Sequence, residues 1–142
     1  MGVVSLIVME PGSAWPGHVG NSENVVALGE QGEGLLPRIR QKLDSLRRRG
    51  EKVRVAVLAC SEATDVASVA RRAELAHELL AVVAAVGFGR LILSAADRAS
   101  MPLRHELLSL ASALSHLRRG TATLVSVRFR DASEGDAGPP RV

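Results

Sequence analysis

The sequence predicts an α/β fold: a three-layer sandwich with a mostly parallel sheet of about five strands and three main helices. Three observations carry this. Short runs of β-branched and aliphatic residues recur along the chain, too apolar to be exposed on either face. Between them lie longer stretches whose apolar residues return every three or four positions. Glycines then stand where each of these stretches must end and the next strand begin. Alternation of this kind implies right-handed crossovers, with helices on both faces of the sheet.

Val3 to Met9 reads as the first strand. Glu10 to Asn24 is rich in Gly, Pro, Ser and Asn and reads as a long loop that carries Trp15 and His18. Asn24 to Leu28 reads as a second, short strand, and Gly29 to Gly34 as a glycine-rich turn. Leu36, Ile39, Leu43 and Leu46 form the stripe of a first helix; Pro37 is tolerated in its first turn and Gly50 ends it. Val53 to Ala59 is the next strand. Asp65 or Ser61 then caps a long helix with the stripe Val69, Ala73, Ala76, Leu80 and Val83, ended by Gly87. Arg90 to Ser94 is again a strand. Ser100 caps a third helix with Leu103, Leu107, Leu110, Leu114 and Leu117 on one face, closed by Gly120. In the last strand, Thr121 to Phe129, Thr123, Val125, Val127 and Phe129 alternate with Leu124, Ser126, Arg128 and Arg130. That pattern suits a sheet edge with one wetter face.

The order β-β-α-β-α-β-α-β resembles, in topology alone, anti-sigma-factor antagonist domains. Their Asp-Ser-Ser-Gly phosphorylation motif is absent here, so the resemblance implies nothing about function. Residues 1–130 are expected to form one domain, with a disordered tail at 131–142 that holds two prolines and no apolar stripe.

At 142 residues and 46% hydrophobic composition, the chain can bury a core without staples. Aromatic residues make up only 2%, so the core must be aliphatic, and stacking platforms for single-stranded nucleic acid are not available. The isoelectric point is near 10.0 although the net charge is only +3. All the basic residues but Lys42 and Lys52 are arginine, which holds its charge to very high pH. That is a statement about solubility and no evidence for nucleic acid, so a nucleic-acid partner is not expected. The single cysteine, Cys60, excludes an internal disulfide and fits a reducing, cytoplasmic setting. The opening apolar run lacks a basic flank and is too short to span a bilayer, so no membrane partner is expected.

In an open α/β sheet, ligands bind outside the carboxyl ends of the strands. Applied here, that rule gathers Glu10, Trp15, Ser61, Asp65, Ser94, Asp97 and Arg98 as ligand-binding candidates. Trp15 reads as a plug that anchors its loop, or as a lid. Cys60 precedes a helix N-terminus, where a thiol can be activated, and His18 is its candidate partner in a hydrolase reading. The segment VAVLACSEA resembles caspase-like folds in this respect, although His18 comes well after its strand. A low-molecular-weight phosphatase is excluded, because Val66 stands where an arginine is required. Against nucleophilic chemistry stands the plain reading of Cys60 as a small buried hydrophobe.

Glu10, Glu62, Asp65 and Asp97 lie at or just past strand ends, where carboxylates could hold a divalent metal. No D-x-D or H-x-H spacing supports a metal, and no cofactor motif is present. The turn Gly29-x-x-Gly32-x-Gly34 misses both phosphate-binding patterns. His77, His105 and His116 share no ligand spacing. Arg47–Arg49 and Arg118–Arg119 fall at helix C-termini, where they answer the helix dipole. The reading that follows is a non-catalytic binding or regulatory module with a ligand crevice at the strand carboxyl edge. Its ligand is a small molecule or a protein, and the last strand offers an edge for homo-oligomers. The alternative is a hydrolase using Cys60 with His18, or a metal held by strand-end carboxylates.

Overall fold

The computed structural model describes residues 3–10, 13, 23–27, 35–117 and 122–130. Trp15, His18, the Gly29–Gly34 turn, Arg118–Arg119, Gly120 and the 131–142 tail lie outside them. The elements run β1 (Val3–Met9), β2 (Glu23–Ala27), α1 (Leu35–Arg48), β3 (Lys52–Ala59), α2 (Val66–Ala84), β4 (Phe88–Ala96), α3 (Met101–Leu117) and β5 (Ala122–Arg130). Among the described residues the fold is α/β, with a parallel sheet and three helices.

The body of the sheet is β1-β3-β4-β5, with β2 added on the free side of β1, and every pair is parallel. β5 is the edge strand the alternation predicted. Val125, Val127 and Phe129 pack inward, while Leu124 is 65% exposed. A register shift between Val4 and Ser5 leaves Arg54 without a partner on β1, the signature of a bulge.

The helices depart from expectation. Ile39 and Leu46 of α1, Leu75, Leu79 and Val83 of α2, and Leu103, Leu107 and Leu114 of α3 share one cluster. The sheet's contribution to it includes Leu6, Val8, Ala56, Leu58, Leu91 and Leu93. All three helices therefore cover the same face. The strand order gives the reason. The crossovers β2 to β3, β3 to β4 and β4 to β5 all step in the same direction, so right-handedness puts each helix on the same side. The expected sandwich with helices on both faces is thus corrected to two layers among the described residues. On the opposite face, Ile7, Val57 and Ile92 form a second, smaller buried stripe flanked by Met9 and Val55.

Local signals set the helix ends. Gly50 takes φ 74°, the Gly50 N–H donates to the Arg47 carbonyl at 3.0 Å, and the Glu51 N–H to the Leu46 carbonyl at 2.9 Å. This is a Schellman closure of α1. Gly87, at φ 89°, ends α2 in the same left-handed region. None of the helices among the described residues is long and apolar enough to cross a membrane.

Candidate functional site

The carboxyl ends of β1 and β3 meet the N-terminal turns of α2 and α3, and the meeting point is built around an arginine. Arg72, in the second turn of α2, has no solvent exposure. It sits three and four residues before Leu75 and Ala76, on the face that packs against the sheet. A guanidinium placed there must find partners for its donors. Its Nε and Nη2 both donate to Glu10 Oε1, at 3.2 and 2.9 Å. Nη2 also donates to the carbonyls of Ser61 (3.3 Å) and Ala63 (3.0 Å). Nη1 donates to Glu106 Oε2 on α3 at 2.5 Å. One side chain thus ties the end of β1, the β3–α2 loop and α3 together. Burial opposes the charge of Arg72, but the hydrogen bonds and attraction of Glu10, then Glu106, outweigh it and raise its pKa.

Glu10 is 7% exposed and serves both backbone and side chain. Its N–H donates to the Ala59 carbonyl at 2.9 Å, extending the β1–β3 ladder by one residue. Its Oε1 accepts from the Ser61 N–H at 2.8 Å. Two carboxyl groups therefore face one guanidinium, and an acceptor is left over. Glu106 Oε1 is buried without a hydrogen-bond partner among the described residues, as is the Ser13 hydroxyl. Ser13 donates its N–H to the Glu10 carbonyl at 3.1 Å, which places it at the same edge.

Cys60 directly follows β3 within this cluster and is 3% exposed. Its N–H donates to the Ser94 carbonyl at 2.7 Å and its Sγ lies 3.5 Å from the Leu58 carbonyl. Burial, with the Glu10 carboxylate adding to it, pushes the thiol pKa far up, and the nearby Arg72 charge only partly offsets this. The thiol is thereby held protonated, the weakly nucleophilic form.

The remaining sequence candidates spread around this centre. Asp65, in preference to Ser61, caps α2: its Oδ1 accepts from the Ser68 N–H at 3.0 Å and its Oδ2 from the Ser68 hydroxyl at 2.8 Å. Those bonds stabilise the carboxylate and lower its pKa. The Ser61 hydroxyl accepts from the Ala63 N–H at 3.4 Å. Ser94 is buried. Asp97 and Arg98 are exposed on the β4–α3 loop. That loop is clamped by Arg104, which donates to the carbonyls of Asp97 and Ala99 and lies over the Phe129 ring, 4.2 Å from its centroid. Glu62 Oε2 accepts from the Ser100 N–H at 3.4 Å, joining the two loops.

Of the predicted residues, Glu10, Cys60, Ser61 and Ser94 are brought together, and Asp97 and Arg98 border them. Trp15 and His18 lie outside the described residues. Among the described residues, no three His, Cys, Asp or Glu side chains gather as a metal-ligand set. Sequence reasoning missed Arg72, Glu106 and Arg104. The available signal was a charged residue on an apolar stripe: Arg72 precedes Leu75 and Ala76, and Glu106 lies between Leu103 and Leu107.

Comparison with family models, with curated proteins and with solved structures finds no match to this chain.

Proposed function

We propose that the chain is a non-catalytic binding or regulatory module whose ligand crevice lies at the strand carboxyl edge. The observation that carries this reading is the fully buried Arg72 held between Glu10 and Glu106. Nucleophilic chemistry at this edge would draw on Cys60, and acid–base or metal chemistry on Glu10, Glu62, Asp65 and Asp97, of which Asp65 is taken up by the α2 cap. Glu10 Oε1 is occupied by Arg72 and the Ser61 N–H, and the Cys60 thiol is buried and kept protonated. What the edge offers is recognition. The acceptor left over at Glu106 Oε1 and the exposed loop residues Glu62 and Asp97 favour a ligand that donates hydrogen bonds, such as an amine or a guanidine.

Amide-shift mapping with a panel of small amines, guanidines and carboxylates tests this. The expected result is that amines and guanidines shift Ser61–Ala63, Asp97–Ser100 and Glu106 together, and that carboxylates do not. Absence of shifts from every probe, or shifts led by carboxylates, would overturn the reading.

A further inference from the structure

Away from the carboxyl edge, a groove of about 510 Å³ opens between the C-terminal halves of α1 and α2. That volume falls within the range of small-molecule sites, roughly 300–1,000 Å³. Its walls are aliphatic: Leu43 and Leu46 from α1, Val53 at the start of β3, and Ala81, Val82 and Val86 from the end of α2. α1 and α2 touch across its rim through Arg40 and Glu78, with Nε 3.0 Å from Oε1, so the groove is bridged there while none of the described residues fills the space between the helices. Aliphatic walls left apart in this way are poorly suited to water, which finds few hydrogen-bond partners there.

The charges at the rim are unequal once their partners are counted. Four charged residues border the groove, Arg47, Lys52, Glu51 and Glu78. Glu78 is paired with Arg40, and Glu51 with Arg49 at 3.6 Å, both outside the groove. Arg47 lies 4.0 Å from Asp44 on its own helix; all three pairs join partly exposed side chains and carry little energetic weight, and together they cancel in formal charge and leave Lys52 over. Lys52 is exposed and has no ion pair among the described residues. The mouth thus presents positive charge above an apolar trough.

We propose that this groove binds a single-chain anionic amphiphile, a medium-chain carboxylate, with its acyl chain along Leu43, Leu46, Val53 and Val82 and its head group at Arg47 and Lys52. An amine or other cation would meet the wrong charge, and a compact polar anion would leave the aliphatic walls wet. The site is separate from the carboxyl edge, so neither proposal stands on the other.

Dodecanoate, kept below its micellar concentration, is the probe, with dodecyltrimethylammonium as the charge control. Amide-shift titration should move Leu43–Lys52 and Ala81–Val86 with dodecanoate, and the control should bind at least about tenfold more weakly, the effect of one lost charged hydrogen bond. Arg47→Glu and Lys52→Glu should each weaken dodecanoate by a similar factor. Ala81→Trp, at an exposed position that tolerates bulk, should fill the groove and abolish binding while the melting temperature holds. Equal binding of both probes, or dodecanoate shifts that survive Ala81→Trp, would overturn the proposal. So would concentration-dependent self-association through Leu43 and Val82 in place of ligand binding.

Discussion

A single side chain, Arg72, decides how the carboxyl edge is built. Removing one partner of a buried ion pair leaves an uncompensated charge, which costs about 3–5 kcal/mol. Arg72→Met should lower stability by that amount, read as a fall in urea midpoint with an unchanged slope. Replacing the carboxyl groups as well, in Arg72→Met with Glu10→Leu and Glu106→Leu, should recover most of the loss, because an apolar cluster of similar volume does not require the bonds. A neutral Arg72→Met variant would show that the guanidinium is dispensable.

Cys60 gives a pH signature of its own. Its folded pKa is raised, so its contribution to stability is complete below the unfolded thiol pKa of about 8.5 and declines as pH rises above it. Between that pH and the raised folded value the unfolded chain releases a proton that the folded chain retains. Cys60→Ala should therefore flatten the alkaline fall in stability above about pH 8.5, measured by denaturation across pH. Glu10 and Cys60 were legible because each directly follows a predicted strand. Arg72 and Glu106 were not, because a helix stripe read from apolar residues alone passes over a charge embedded within it.

At the scale of elements, capping and turn chemistry predicted most of what is seen. Asp65 starts α2, and Gly50 and Gly87 close α1 and α2 in the left-handed conformation that a side chain would strain. The strand ends were less legible: β4 begins at Phe88, two residues before the apolar run suggested, because pairing with β5 continues through Phe88 and Gly89. Gly89 also shows why no side chain stands there. A Cβ would lie 2.6 Å from the Val83 carbonyl oxygen and 2.9 Å from its Cβ, where the end of α2 crosses the strand. Gly89→Ala should cost about 1–3 kcal/mol through overpacking against backbone that cannot move aside. At about 4 °C per kcal/mol for a chain of this size, calorimetry would resolve it. An unchanged melting temperature would mean that α2 and β4 can separate locally.

For the molecule as a whole, alternation of strands and helices was enough to give a parallel α/β fold, but which face each helix covers depends on strand order. Periodicity shows that a helix has an apolar side. It does not show which way the chain steps across the sheet. Three crossovers stepping in one direction put α1, α2 and α3 on a single face, and the same geometry sets the end of β1, the β3–α2 loop and α3 around Arg72 at one edge and a groove between α1 and α2 at the other.

Structural bonds lock the carboxyl edge and bury its thiol, and on the proposed reading that edge serves recognition and not nucleophilic chemistry. Alkylation of Cys60 by iodoacetamide at neutral pH tests it most directly, with the rate followed as denaturant is added below the unfolding midpoint. Native protein should react orders of magnitude more slowly than the unfolded chain, and the rate should rise in step with global unfolding. Fast alkylation of the native protein, independent of denaturant, would contradict it and restore Cys60 as a nucleophile.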